Sequence, residues 1–280
     1  MTRVAFIHSR FPAGGAERIT IDIARYLRQV GGYEVFVYAD RISDSLMTDE
    51  LKDIMTIRDI PSQAIPAYRA SAVEDLIVKD GIHVLVQVGK SIKGIEGIRD
   101  RTGCKTVIAC HGEPFWQRHS ITFRRQKGLI RKMIWNLYNK KRYEDGTLAM
   151  RKAIERTRKE YVVNDAFTVL CEPYKNQVAD VLGLDAVKSQ IYPIENPERP
   201  VDDVCWEKDK VVMFCGRFEN WSKRIDRLLR IWQKAQDRLS KWQLQLVGDG
   251  ADGKMLRQMA KVLATSTQYA TMISAPSTHH

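Results

Sequence analysis

Nowhere in its 280 residues does this chain carry the roughly 20 consecutive apolar residues that a membrane-crossing helix requires. The N-terminal stretch MTRVAFIHSR has too short an apolar run for a secretory leader, so a cytoplasmic location is expected. No C-x-x-C pair and no disulfide spacing occurs among the five cysteines, Cys104, Cys110, Cys171, Cys205 and Cys215. Three of them lie inside apolar, strand-like runs, and all five read as buried thiols of a reducing compartment. The fingerprint G-x-G-x-x-G is missing from the first strand-to-helix turn, which argues against a standard NAD or FAD protein.

What is present is a repeated alternation of short apolar strands with amphipathic helices, the mark of an α/β chain with parallel sheets. RVAFIH, YEVFVYAD, MTIRDI, HVLVQVG, KTVIACHG and AFTVLCEP read as strands, and near-continuous apolar runs of this kind suit strands covered on both faces. Between them, Ala16 to Val30 places Ile19, Ile23, Leu27 and Val30 on one helical face, and AYRASAVEDLIVKDG reads as a helix capped by Gly81. A Pro-containing charged stretch then reads as a linker, after which KVVMFCG, SKRIDRLLRIWQKAQDRL, WQLQLVG and DGADGKMLRQMAKVLA restart the series.

The expected division is a first Rossmann-like domain over 1–197, a linker over 198–209, a partial second Rossmann-like domain over 210–264 and an irregular tail over 265–280. After Leu263 neither alternation nor helical periodicity continues, so the second domain is expected to be incomplete.

Four turns carry candidate chemistry. In SRFPAGGAER, Gly14 and Gly15 precede a helix N-terminus, where free amides and the helix dipole favour a phosphate or another polar ligand; a tight turn needing glycine for geometry alone explains them equally well. In ACHGEP, His111, Gly112 and Glu113 follow a strand, where open α/β sheets bind ligands, although a lone histidine is more often structural. In FCGRFENWSKRIDRLL, Arg217 follows a strand-ending glycine and Lys223 precedes a helix, a pair suited to neutralising a diphosphate. In LVGDGADGKML, Gly248, Asp249 and Gly250 form a glycine-rich turn of low specificity.

Taken together, PAGGAERI, CGRFENWSKRIDRLL and LQLVGDGADGKMLRQMA resemble, in order and spacing, the family 4 glycosyltransferases of the GT-B fold, from Met1 to about Ala264. The resemblance implies two facing Rossmann-like domains and retaining hexosyl transfer from a nucleotide-diphosphate sugar to a lipid-linked or polysaccharide-precursor acceptor. It implies Arg217 and Lys223 on the donor diphosphate, His111 as the catalytic histidine contacting the donor sugar, and Gly14 and Gly15 at the reaction centre, facing the two cations across a cleft. It implies no metal ion and no cofactor beyond the nucleotide sugar itself. Two departures stand out: the K-G expected after the arginine is Lys223-Arg224, and no E-x7-E spacing follows the linker. The alternative class is therefore a truncated, non-catalytic remnant or an acceptor- or membrane-binding module.

The charge is unevenly placed. Trp116 to Glu160 holds 14 Lys/Arg against 4 Asp/Glu, a net of +10 out of the chain's +11. There Leu129, Met133 and Leu137, with Ile130, Ile134 and Tyr138, form an apolar stripe flanked by Arg124, Arg125, Lys127, Arg131, Lys132, Lys140, Lys141 and Arg142, with Trp116, Phe123 and Trp135 nearby. Such a helix fits an anionic membrane surface, each basic residue contributing about 1 kcal/mol, and gives a peripheral position on the inner face of the cell membrane as a second expectation. Packing of the stripe on the sheet is the alternative. A nucleic-acid partner is the rival explanation of the charge, but no nucleic-acid-binding motif accompanies it, and none is expected.

Overall fold

In a computed structural model of the chain, the described residues are 1–9, 11, 14–40, 42, 48–60, 66–116, 130, 133, 137, 147–198, 204–235, 237–263 and 271–273. They fall into two compact units, Met1–His119 with Tyr138–Arg199 and Ser120–Leu137 with Pro200–His280.

The first unit alternates β1 (Thr2–His8), α1 (Gly15–Val30), β2 (Tyr33–Ala39), α2 (Asp49–Ile54), β3 (Thr56–Asp59), α3 (Pro66–Asp80), β4 (Val84–Val88), α4 (Ile95–Thr102), β5 (Lys105–Ala109), α5 (Thr147–Val163), β6 (Ala166–Val169), α6 (Glu172–Leu182) and β7 (Ile191–Pro193). Its seven strands form one sheet in the order β3-β2-β1-β4-β5-β6-β7. Every pairing is parallel. Val4, Ala5, Phe6 and Ile7 are all buried although they point alternately to opposite faces. Helices therefore cover both sides of this strand, as its unbroken apolar run requires.

Helix α1 buries Thr20, Ile21 and Ala24, with Ile23 and Leu27 packed at the edge of the same cluster, while Val30 is exposed. The buried face is thus rotated from the one drawn through Ile19 and Val30. Gly81 does end α3: at φ +62° it takes the left-handed conformation, and the Ile82 N–H reaches back to the Ile77 carbonyl at 2.9 Å. Beside it, buried Asp80 accepts from the Tyr38 hydroxyl at 2.9 Å and from the Arg58 guanidinium at 2.9 Å, tying α3 to β2 and β3.

The second unit holds β8 (Val211–Cys215), α7 (Asn220–Lys223), α8 (Ile225–Ala235), β9 (Gln243–Val247), α9 (Gly253–Leu263) and β10 (Thr271–Ile273). The strands are parallel in the order β10-β9-β8. Ile225, Leu229 and Trp232 recur at helical spacing along α8 and pack with Leu244, Leu246, Leu256 and Phe218 into its core.

The tail read as irregular contains a strand: Thr271, Met272 and Ile273 pair with Gln245, Leu246 and Val247. Three residues are too few for a period to show in the sequence, and only the neighbouring ladder reveals them. The cysteine expectation also needs correction, since Cys104 is buried but Cys205 and Cys215 are exposed. Among the described residues no helix is long and apolar enough to cross a membrane.

Candidate functional site

In the first sheet the chain order reverses between neighbours β1 and β4, and a crevice opens at the carboxyl ends of strands at such a switch point. A cavity of about 310 Å³ lies there, lined by the end of β1 (His8, Ser9), the end of β4 (Val88, Gly89) and the segment Cys110–Trp116 after β5. His111, Gly112 and Glu113, flagged by their strand-end position, are all in its wall. His111 Nδ1 stands 3.4 Å from Asn196 Oδ1. Burial holds its pKa below the usual imidazole value, and the Asn196 contact partly offsets this.

The sequence reading passed over His8, although the same strand-end rule points to it. The imidazole is buried at 3% exposure, with Nε2 2.9 Å from the Thr20 hydroxyl, Nδ1 3.8 Å from the Glu17 carboxylate and the Phe11 ring edge-on at 4.9 Å. Burial, and then the charge of His111, push its pKa down to about 4. It is thus neutral near pH 7 and able to exchange hydrogen bonds there.

A stability consequence follows. The unfolded chain protonates this histidine near 6.5 and the folded one only near 4, so the unfolded state binds more protons between those values and stability falls as pH drops through that window. His8→Gln, which keeps a polar partner for Thr20, should lose roughly 2 kcal/mol less than the native chain between about pH 7 and pH 4.5. Urea midpoints at the two pH values measure this; parallel losses in both proteins would contradict it.

Gly14 and Gly15 are the N-cap and first residue of α1. A Cβ at Gly14 would meet only the mobile end of the Glu17 side chain, Gly15 has open space around it, and Gly14 is in the extended conformation, so neither close packing nor backbone geometry requires glycine at these two positions. Ala16 and Glu17, rather than the two glycines, line the cavity.

The opposite wall is α5, whose buried stripe Ala153, Thr157 and Glu160 brings polar side chains to the cavity. Burial raises the Glu160 pKa, against the charges of Arg156 and Lys90 and an N–H of Ser91. Fully buried Gln87 accepts from Ile92 N–H at 2.7 Å and donates to Asn164 Oδ1 at 2.5 Å, and Asn164 donates to the Glu160 carbonyl at 2.7 Å. The turn after β4 is thereby locked to α5.

In the second unit the turns after β8 and β9 pack backbone to backbone. Phe218 N–H donates to Asp249 O at 2.8 Å and Gly216 N–H to Val247 O at 2.9 Å. A Cβ at Gly248 would strike the Gly216 carbonyl, and one at Gly250 would lie 2.8 Å from the Phe218 carbonyl. The low-specificity glycine turn is therefore the support of the turn that carries Arg217. The Arg217 side chain is 74% exposed, 3.4 Å from the Glu219 carboxylate, and Lys223 is exposed at the end of α7.

Arg224 stands where the resembling sequences have glycine, and its φ of +50° is the left-handed conformation that glycine adopts freely. Its guanidinium holds Asp226 through two hydrogen bonds, of 3.0 and 2.9 Å. Arg224→Ala keeps the unfavourable backbone and loses the pair, whereas Arg224→Gly loses only the pair. The glycine variant should exceed the alanine variant by about 1 kcal/mol in chemical denaturation, and a more stable alanine variant would refute this.

The nine membrane-surface residues named above, Arg124, Arg125, Lys127, Arg131, Lys132, Trp135, Lys140, Lys141 and Arg142, lie outside the described residues. Of the proposed stripe, Ile130, Met133 and Leu137 are described, and all three are exposed.

No protein-family model matches the sequence, and no curated protein matches it. Solved structures do. The apo form of the lipopolysaccharide outer core galactosyltransferase WaaB is similar at a TM-score of 0.57 and 14% identity over 99% of this chain and 69% of that one. WaaG, a glycosyltransferase involved in lipopolysaccharide biosynthesis, gives 0.59 and 14% over 98% and 70%. Phytolacca americana UGT2, complexed with UDP-2fluoro-glucose and pterostilbene, gives 0.56 and 9% over 98% and 72%. At these identities the likeness is one of fold: the chain has the α/β architecture of the GT-B glycosyltransferases, with a parallel seven-stranded sheet in its first unit.

Proposed function

We propose that this chain is a glycosyltransferase that moves a sugar from a nucleotide-diphosphate donor to a lipid-linked or polysaccharide-precursor acceptor, as a family 4 enzyme with retention of configuration. The observation that carries the reading is the supported turn of the second unit, which projects exposed Arg217 while Lys223 stands exposed at the end of α7. Two such cations suit a diphosphate leaving group, whose developing charge they stabilise as the glycosidic bond breaks. In this reading the first-unit cavity takes the acceptor, His111 contacts the donor sugar, and Gly14 and Gly15 border the reaction centre. Glycosyltransferases of the same fold, one of them holding a UDP sugar, support the donor class. Titration of the purified chain with UDP and GDP tests the reading, and no binding of either at about millimolar concentration removes it.

Peripheral attachment to the inner face of the cell membrane belongs to the same proposal. The net +10 segment and the exposed Ile130, Met133 and Leu137 support it. Vesicles containing phosphatidylglycerol should pellet the chain and phosphatidylcholine vesicles should not; equal recovery with both removes this part.

A further inference from the structure

The segment that closes the cavity contains a bulky residue in a costly conformation. Phe115 has φ +61°, in the left-handed region where a side chain with a Cβ is rarely found. Its ring is buried at 5% exposure in the cluster that holds Ile108, Phe167, Val169 and Val178. The Trp116 N–H closes the turn on the Glu113 carbonyl at 3.3 Å. The larger aromatic beside it is left 44% exposed in the wall of the cavity. Backbone strain held at a cavity lip is how folds place side chains for a ligand.

We propose that Trp116 is the stacking platform for a single pyranose ring of the acceptor, presented to the cavity by the strained turn at Phe115. The inference rests on the acceptor reading of this cavity. An indole face is electron-rich and attracts the weakly positive C–H face of a sugar ring. The hydroxyl rim of that ring then meets acceptors: the carboxylates of Glu113 and Glu160 and the hydroxyl of Thr157 line the same cavity. A nucleobase also stacks on indole. Its edge, however, calls for mixed amide-like partners, while carboxylates and a hydroxyl match the hydroxyls of a sugar. At about 310 Å³ the cavity is at the small end for ligand sites and takes one ring with its substituents.

Saturation-transfer NMR on the full chain tests this with the methyl glycosides of glucose, galactose and N-acetylglucosamine, and with uridine. At least one glycoside should receive saturation on its ring C–H protons. Trp116→Ala should weaken that glycoside about tenfold, the scale of one aromatic contact, while Trp116→Phe stays within about threefold. Thermal melting of both variants checks folding, and the phenylalanine variant supplies the comparison should alanine unfold the turn. Unchanged affinity in Trp116→Ala, no saturation of any glycoside, or Trp116-dependent binding of uridine in preference to the glycosides overturns the proposal. The nucleotide titration reads the second unit separately. A chain that binds glycoside through Trp116 but no UDP or GDP loses the transfer assignment and keeps the platform.

Discussion

Replacing Arg217 and Lys223 together by alanine is expected to reduce UDP or GDP affinity by about 10³-fold while leaving the melting temperature nearly unchanged. Each charge-assisted hydrogen bond to a phosphate oxygen contributes about 1.5–3 kcal/mol, so each single variant should lose roughly 10- to 100-fold. Both side chains are exposed, and the ion pair of Arg217 with Glu219 at 3.4 Å is of the surface kind that adds little to stability. Releasing it to reach a ligand therefore costs little. Arg217→Lys separates point charge from geometry: lysine keeps the charge but loses the fork that grips two phosphate oxygens, so an intermediate loss is expected. Isothermal titration compares the four variants with the native chain, and a double variant that binds like the native chain would remove these residues from the donor site.

Asp80→Ala should destabilise the first unit by about 3 kcal/mol, because removing one partner of a buried pair strands the others. The fully buried Tyr38 hydroxyl would lose its 2.9 Å acceptor, leaving it the Leu76 carbonyl at 3.3 Å. Arg58, 38% exposed, can turn to water, which keeps the expected loss at the lower end of the range for buried pairs. Burial and the Asp80 contact raise the Tyr38 pKa well beyond its ordinary value, so the hydroxyl is a donor throughout the neutral range. Asp80→Asn, whose side-chain carbonyl can still accept from Tyr38, should cost less than half as much. Urea denaturation distinguishes the two, and a loss below about 1 kcal/mol for the alanine variant would mean that the network is not a structural tie.

Much of this protein was legible before folding, and the legible parts share a reason. Strands β1, β2, β4, β5, β8 and β9 announce themselves because an apolar β-branched run is a local signal, and the cap at Gly81 because glycine alone tolerates its φ freely. His111, Arg217 and Lys223 were found by a rule that needs only the end of a strand or the start of a helix. Helices α2, α4 and α6 and strands β7 and β10 leave no such signal in the sequence, being short or weakly periodic.

What the amino-acid order determined by itself was the alternation of elements, the cations after β8 and the basic run from Trp116 to Glu160. Only the tertiary structure decided that β1 lies beside β4, so that His8, Glu17, His111 and Glu160, far apart in the chain, share one cavity. Only it decided that Gln87 meets Asn164 across 77 positions, and that Arg224 and Phe115 sit at positive φ. The reason is physical: periodicity and capping are set within a few residues, whereas strand order is chosen by which distant apolar faces bury each other, and side chains at the strand ends follow that choice.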